Sequence, residues 1–330
     1  MISLNGHKLD NRDIRAFSIL TLFLGFLAIV LIGVISRHAA KADRVNRLLE
    51  SKVCQKCDLD HTSLEGANLK QAELEDASLR QVNLQGANLS SANLTRTILS
   101  EVNLSQAKLN ETILNEAILN QANLTEAELN GAYLSQAYLG DSVLRQSDLV
   151  GADLSGANLV RANLNDANLR DADLGDVNLS RAMMRSVDLR RADLGGADLD
   201  NAVLTEANLS RATLPRASLN RVRLIRSNLQ DANFGNASLT DADLSGANLS
   251  NAYLGEANLQ RVNLNNAILL GTNLAKADLT EAKLIGVNLA GANLRRADLS
   301  GADVTGTDLN SAKFCKTKMP DGSLNNRDCS

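Results

Sequence analysis

Residues 87–104 read ANLSS-ANLTR-TILSE-VNL, and the spacing within this stretch decides the fold. A leucine falls at every fifth residue, Leu89, Leu94, Leu99 and Leu104, and the same phase extends in both directions. It begins at Cys57, continues through Leu59, Leu64 and Leu69, and holds without an insertion to Phe314, about 52 positions in all. Only Met184, Phe234, Val304 and Phe314 replace the leucine, and all four are apolar. Two residues before it stands a small residue, as in Ala87-Asn88-Leu89 or Ala152-Asp153-Leu154, with Asn or Asp most often between them.

A period of five fits neither an amphipathic helix nor a simple alternating strand. Within each unit, however, small-polar-Leu is a short alternation, so the small residue and the leucine share one side. The two remaining residues, rich in Gly, Ser, Asn, Gln and charge, then turn the chain. Repetition gives a coil with Ala and Leu inside and polar residues outside. Stacked coils pair their backbones about 4.8 Å apart, which satisfies N–H and C=O groups. This is an all-β solenoid, whose coils bury their apolar side only against neighbours.

Units of the form A-[DN]-L-x-x over 57–314 resemble the pentapeptide-repeat family, and the chain is similar to membrane-anchored, cyanobacterial-type members of it. The resemblance implies a right-handed quadrilateral β-helix with four units per coil. On that reading the run makes about 13 coils, a rod roughly 60 Å long at the strand spacing above.

The rest of the composition agrees. Aromatic residues are 2 % of the chain, Trp is absent and there are two prolines, so a core of large side chains is excluded. Residues 1–15 form an N-terminal flank. Residues 16–36, AFSILTLFLGFLAIVLIGVIS, carry no charge and are long enough for a transmembrane helix. A cleaved signal peptide is the alternative, since Ala40-Lys41-Ala42 resembles a small-x-small site. Within 37–56, a linker and capping segment, Ala42, Val45, Leu48 and Leu49 recur at helical spacing, as in a helix covering the open end of the first coil. Residues 315–330 form a C-terminal cap, with a turn at Pro320-Asp321-Gly322 and with Met319 and Leu324 folding over the last coil.

Two signals disagree on which side of a membrane the rod stands. Lys8, Arg12 and Arg15 precede the apolar run, while Arg37, Lys41, Arg44, Arg47 and Lys52 follow it, which favours a cytoplasmic rod. Cys54 with Cys57 and Cys315 with Cys329 stand at the two ends, as possible disulfides suited to a periplasmic or lumenal compartment. Similar end motifs in secreted and lumenal family members tip the expectation to that side.

No cofactor, metal or small-molecule substrate is expected. Cys54, Cys57 and His61 supply three ligands where structural zinc takes four. His7, His38 and His61 all lie outside the repeats or at their start, and the many carboxylates sit on a regular outer face, not in a cleft. The repeats themselves generate the Asn-Leu-Ser sequons, and no strand-to-helix phosphate loop is present.

Some family members mimic B-DNA and bind gyrase or another topoisomerase, which requires a strongly negative rod. Residues 58–314 hold 22 Lys and Arg against 32 Asp and Glu. A basic belt of Arg181, Arg185, Arg190, Arg191, Arg211, Arg216, Arg221, Arg223 and Arg226 interrupts that charge. The mimic is therefore the second reading. Nucleic-acid binding by the belt is not expected, because it has no aromatic residues to stack on bases.

One irregularity remains. At the middle position Ile98, Ile118 and Tyr138 recur twenty residues apart, with Ile113 and Tyr133 forming a second column and Val143 nearby. Packing between coils would explain apolar residues there, and so would a contact surface. The sequence thus points to a non-enzymatic, membrane-anchored scaffold or interaction rod, with a protein partner or self-association through this patch.

Overall fold

Parallel bridges join each middle residue except Asn288 to the one twenty positions later, from Val53 with Glu73 to Asp298 with Lys318, in a computed structural model of the chain. The backbone of residues 11–329 is described, with side chains at 21–32 and 39–329. Twenty residues, or four five-residue units, therefore make one turn of a β-helix. The interior holds the leucines and the small residues two positions before them, nearly all fully buried from Leu59 to Phe314.

All five backbone N–H groups of a unit can be followed around Leu89. Leu89 and Ser91 donate to the carbonyls of Lys108 and Asn110 on the next coil, at 2.7 and 2.9 Å. Asn88 donates to the carbonyl of Ala67 on the preceding coil, at 2.9 Å. Ala92 closes a turn onto the Leu89 carbonyl at 2.9 Å. The fifth N–H, on Ser90, points into the turn and donates to Asn88 Oδ1 at 3.1 Å. Asn or Asp thus recurs at the middle position because its side-chain oxygen satisfies an amide that no neighbouring coil reaches.

The second turn residue is left-handed in every unit from Lys56 to Gly306, with φ between 53° and 70°. A positive φ at the third residue alone is the pattern of a type II turn. Gly66 and Gly86 suit it, but most such positions hold Gln, Asp, Glu, Arg or Asn, and none holds a β-branched residue. Where a hydroxyl takes the small inward position it is also satisfied. Thr97 and Thr112 donate to the carbonyls of Leu74 and Leu89, at 2.9 and 2.8 Å.

One continuous helix, α1 (Asn11–Ser51), leads into the first coil. Leu48 is fully buried and Val45 packs beside it against the coil interior. Lys41 Nζ donates to the Asp60 carbonyl at 2.5 Å. Residues 41, 45 and 48 lie on one face of the helix, whereas Ala42 and Leu49, seven apart on the next row, are exposed. A disulfide joins Cys54 to Cys57, so these sulfurs are not free thiolates.

Among the described residues no helix is long and apolar enough to cross a membrane. This corrects the expectation of a single-pass membrane anchor over 16–36, together with the membrane partner and the periplasmic or lumenal placement built on it. The side chains of 16–20 and 33–36 lie outside the described residues, as do those of His7, Lys8, Arg12, Arg15, Arg37 and His38.

At the far end a short 3₁₀ turn (Leu309–Ser311) precedes a two-stranded ladder of β1 (Thr317–Lys318) and β2 (Leu324–Asn325). Phe314 is fully buried, Met319 packs beside the core, and a disulfide ties Cys315 to Cys329. Leu324 does not fold over the last coil and stays 66 % exposed. Thr317 is buried in its stead, its hydroxyl donating to the Leu294 carbonyl at 2.6 Å.

Leu194 and Asp193 separate the two constraints experimentally. Leu194→Asp loses about 1.5–3 kcal/mol of apolar burial and places an unpaired carboxylate inside, so cooperative thermal unfolding is expected to disappear. Asp193 Oδ1 accepts from the Gly195 amide at 3.0 Å and from Thr213 Oγ1 at 2.9 Å. Asp193→Ala is expected to cost about 0.5–1.5 kcal/mol per lost bond, and Asp193→Asn close to nothing, measured by denaturant titration.

Candidate interaction surface

Ile98, Ile118 and Tyr138 are bridged in series up one face, and Ile113 is bridged to Tyr133 on the adjoining one. Tyr133 and Tyr138 are 49 % and 50 % exposed, and Ile113 is 37 % exposed. Ile98 and Ile118 are half-buried between their neighbours in the column. Val143 is bridged to Asn123 and Asn163, on the next face around the coil.

Replacing the middle Asn or Asp also removes the acceptor for the turn amide two residues on. At the tyrosines a residue one coil below compensates. Ser135 N–H donates to Asn115 Oδ1 at 3.1 Å, and Gly140 N–H donates to Asn120 Oδ1 at 2.9 Å. The same substitution recurs elsewhere, with the Arg185 amide bonded to Asn165 Oδ1 at 2.8 Å beyond Met183. At the isoleucines no Asn or Asp stands one coil below, since those positions are Arg80, Thr95 and Ser100. Among the described residues nothing accepts from the amides of Ser100, Asn115 and Asn120. The patch therefore combines exposed apolar side chains with backbone donors left to solvent.

A second apolar cluster escaped the sequence reading. Tyr253, Ile268, Leu270 and Ile285 are between 37 % and 48 % exposed on neighbouring coils. A Cβ at Gly255 would lie 2.4 Å from the Tyr253 hydroxyl, and one at Gly235 would lie 2.8 Å from its ring, so these two glycines make room for the tyrosine. The signal was available in the sequence at Tyr253 and Ile268, which are middle positions. Leu270 and Ile285 are turn residues, where no fixed residue type marks a departure.

The arginines of the belt separate into two groups. Many cations of the rod pair with an acid exactly one coil below. Arg191 meets Asp171 at 2.5 Å, Arg226 meets Glu206 at 2.7 Å and Arg261 meets Asp241 at 2.7 Å. Arg190 pairs with Asp188 at 2.6 Å, and Arg211 lies 3.8 Å from Asp231. Arg181, Arg185, Arg216, Arg221 and Arg223 form no ion pair among the described residues. The belt is thus partly neutralised, with Arg190, Arg191, Arg211 and Arg226 next to acids and the other five without one.

These pairs affect titration. The Arg191 guanidinium hydrogen-bonded to Asp171 holds that carboxyl below the usual carboxylate range, as Arg161 does for Asp141 and Arg261 for Asp241. A carboxylate with a folded pKa below its unfolded value stabilises the fold above the unfolded pKa, about 3.9 for Asp, and loses that contribution as pH falls through the folded value. The denaturant midpoint is expected to stay level from about pH 7 to pH 5 and to fall below about pH 4. In Asp171→Asn with Asp241→Asn the acid decline should be shallower, which paired titrations at each pH would measure.

Comparison with known proteins follows the repeats. Family models described as pentapeptide repeats match residues 57–201 in overlapping segments and again 257–314. A pentapeptide repeat region model matches 187–264. Among solved structures the chain is similar to HetL, a pentapeptide repeat protein involved in heterocyst differentiation regulation from the cyanobacterium Nostoc sp. strain PCC 7120. The two are 31 % identical over 83 % of this chain and 91 % of that one, with a TM-score of 0.35. Rfr23, a pentapeptide repeat protein from the cyanobacterium Cyanothece 51142, is 30 % identical over 40 % of this chain and 97 % of its own, with a TM-score of 0.29. QnrB1, a plasmid-mediated fluoroquinolone resistance protein, is 19 % identical over 53 % and 90 %, with a TM-score of 0.31. No curated protein matches the chain.

Proposed function

Because the chain belongs to the pentapeptide-repeat family, we propose that it is a non-enzymatic scaffold whose rod is a protein-interaction surface. On this reading the rod is right-handed and four-sided, with about 13 coils of 20 residues each. The observation that carries the proposal is the coincidence at Ile98, Ile113, Ile118, Tyr133 and Tyr138. Exposed apolar side chains there adjoin the unaccepted amides of Ser100, Asn115 and Asn120. A partner backbone laid along this face offers carbonyls to those amides and apolar side chains to the isoleucines and tyrosines. Binding energy concentrates in a few such aromatic and aliphatic anchors.

The double-helix mimic is the weaker reading. Its uniform negative surface is broken by Arg181, Arg185, Arg221 and Arg223, none of which has a carboxylate partner among the described residues.

The test compares the full chain with Ile118→Asn combined with Tyr138→Asp, by sedimentation and by quantitative crosslinking to the proteins of its source. Cross-strand apolar pairs contribute only about 0.2–1 kcal/mol each, so the melting temperature is expected to change little while association is lost. Equal association in both proteins, with only stability reduced, would assign the patch to packing between coils.

A further inference from the structure

Three successive coils place a grid of nine residues on one face of the rod, separate from the isoleucine and tyrosine columns. Its rows are Arg181, Met183, Arg185; then Asn201, Val203, Thr205; then Arg221, Arg223, Ile225. The four arginines are exposed, Met183 is 44 % exposed, and Val203 is half-buried one coil above it in the same bridged column.

None of these arginines has an acid one coil below. Arg161, Asn165, Asn201 and Val203 occupy those places, and the arginines form no ion pair among the described residues. Arg161 is itself taken by Asp141, and Arg221 Nε donates to Asn201 Oδ1 at 2.9 Å. Three carboxylates at the border are occupied. Glu206 holds Arg226, Asp241 holds Arg261, and Asp243 Oδ1 accepts from Ser245 N–H and Asn263 Nδ2.

A second observation lies at the edge of the middle row. Thr205 is 5 % exposed, and its hydroxyl has no hydrogen-bond partner. Elsewhere in the rod a hydroxyl at this turn position donates to the middle Asn or Asp two residues before it, as Thr125 does to Asn123 Oδ1 at 2.7 Å, but Val203 stands there. The amides of Thr205 and Ile225 also lack an acceptor among the described residues, because Val203 and Arg223 stand where Asn or Asp otherwise would. The groups left over on this face are four guanidiniums and two amides, all donors, with the buried Thr205 hydroxyl behind them. They surround an apolar centre.

We infer that this face binds an extended, acidic protein segment, with carboxylates on Arg181, Arg185, Arg221 and Arg223 and apolar side chains on Met183 and Val203. Charge complementarity selects an anion, and guanidiniums pair carboxylates through two parallel bonds. The two-coil interval from Arg181 to Arg221, about 10 Å at the coil spacing, suits acidic residues separated along a strand. The apolar centre, and the lack of any aromatic ring on the grid to stack a base, favour a peptide over a nucleic acid.

The experiment titrates the full chain into a fluorescent short peptide of alternating Glu and Leu, read by anisotropy at low salt. Arg181→Glu with Arg221→Glu is expected to weaken binding at least about tenfold, or about 1.4 kcal/mol, with an unchanged melting temperature. Arg191→Ala, on the ion-paired corner, is expected to change it less than about twofold. No binding by the wild-type chain, or equal losses in both variants, would overturn the proposal. So would tighter binding of polyphosphate or single-stranded DNA than of the peptide, which would make the face a phosphate site. Self-association abolished by the double variant would assign the face to a second copy and would overturn it as well. Because the isoleucine and tyrosine patch is untouched in these variants, its failure as a contact surface would be seen separately.

Discussion

The backbone amide two residues after each middle position is the constraint on which the rod depends. Four of the five N–H groups in a unit are satisfied by neighbouring coils or by the turn itself, whatever the side chains are. The fifth is satisfied only by a side chain, usually the Asn or Asp at the middle position, as Asn88 serves Ser90. A turn amide without an acceptor must face water, which is tolerable on an outer surface and costly inside. The strictness of the inner leucine lattice and the looser preference for Asn or Asp follow from this difference. A leucine has no substitute for its volume, whereas a turn amide has solvent.

The same accounting explains which features were legible in the sequence. The interior was legible throughout, because small-polar-Leu repeats without a slip and nothing else buries Ala72, Leu74 and their successors. The turn amides and their acceptors were not, because the substitution at Tyr138 is answered by Asn120, eighteen residues away in the chain and adjacent only once the coil closes at twenty. Ion pairing was hidden for the same reason. Arg191 and Asp171 are unrelated in sequence until stacking brings them to 2.5 Å. The belt therefore read as one basic region, although its members differ in whether an acid lies beneath them. The helix α1 was over-read in the other direction. Its apolar run suggested a membrane span, and among the described residues no helix is long and apolar enough to cross one.

Both proposed surfaces arise where the rod gives up a rule that it keeps elsewhere. At Ile98 and Ile118 it gives up the acceptor for a turn amide, and at Arg181 and Arg223 it gives up the acid one coil below. Neither change touches the inward lattice, so neither threatens folding. Surface specificity in this architecture is written at outward positions whose local hydrogen bonding is optional. This is why a β-helix with a nearly invariant interior still presents distinct chemistry on each side.

The pairing of middle residues twenty positions apart has a consequence for how such a chain can grow. Gain or loss of one five-residue unit would leave every leucine inward and every turn intact, so the product would still fold. It would, however, rotate all later faces by a quarter turn relative to the earlier ones. The arginine grid would then leave its present angle to the isoleucine and tyrosine columns, and each stacked acid and base across the junction would meet a new neighbour. Only changes of four units at a time preserve that geometry. A lineage in which the two surfaces must be presented together is therefore restricted to lengthening or shortening its rod by whole turns.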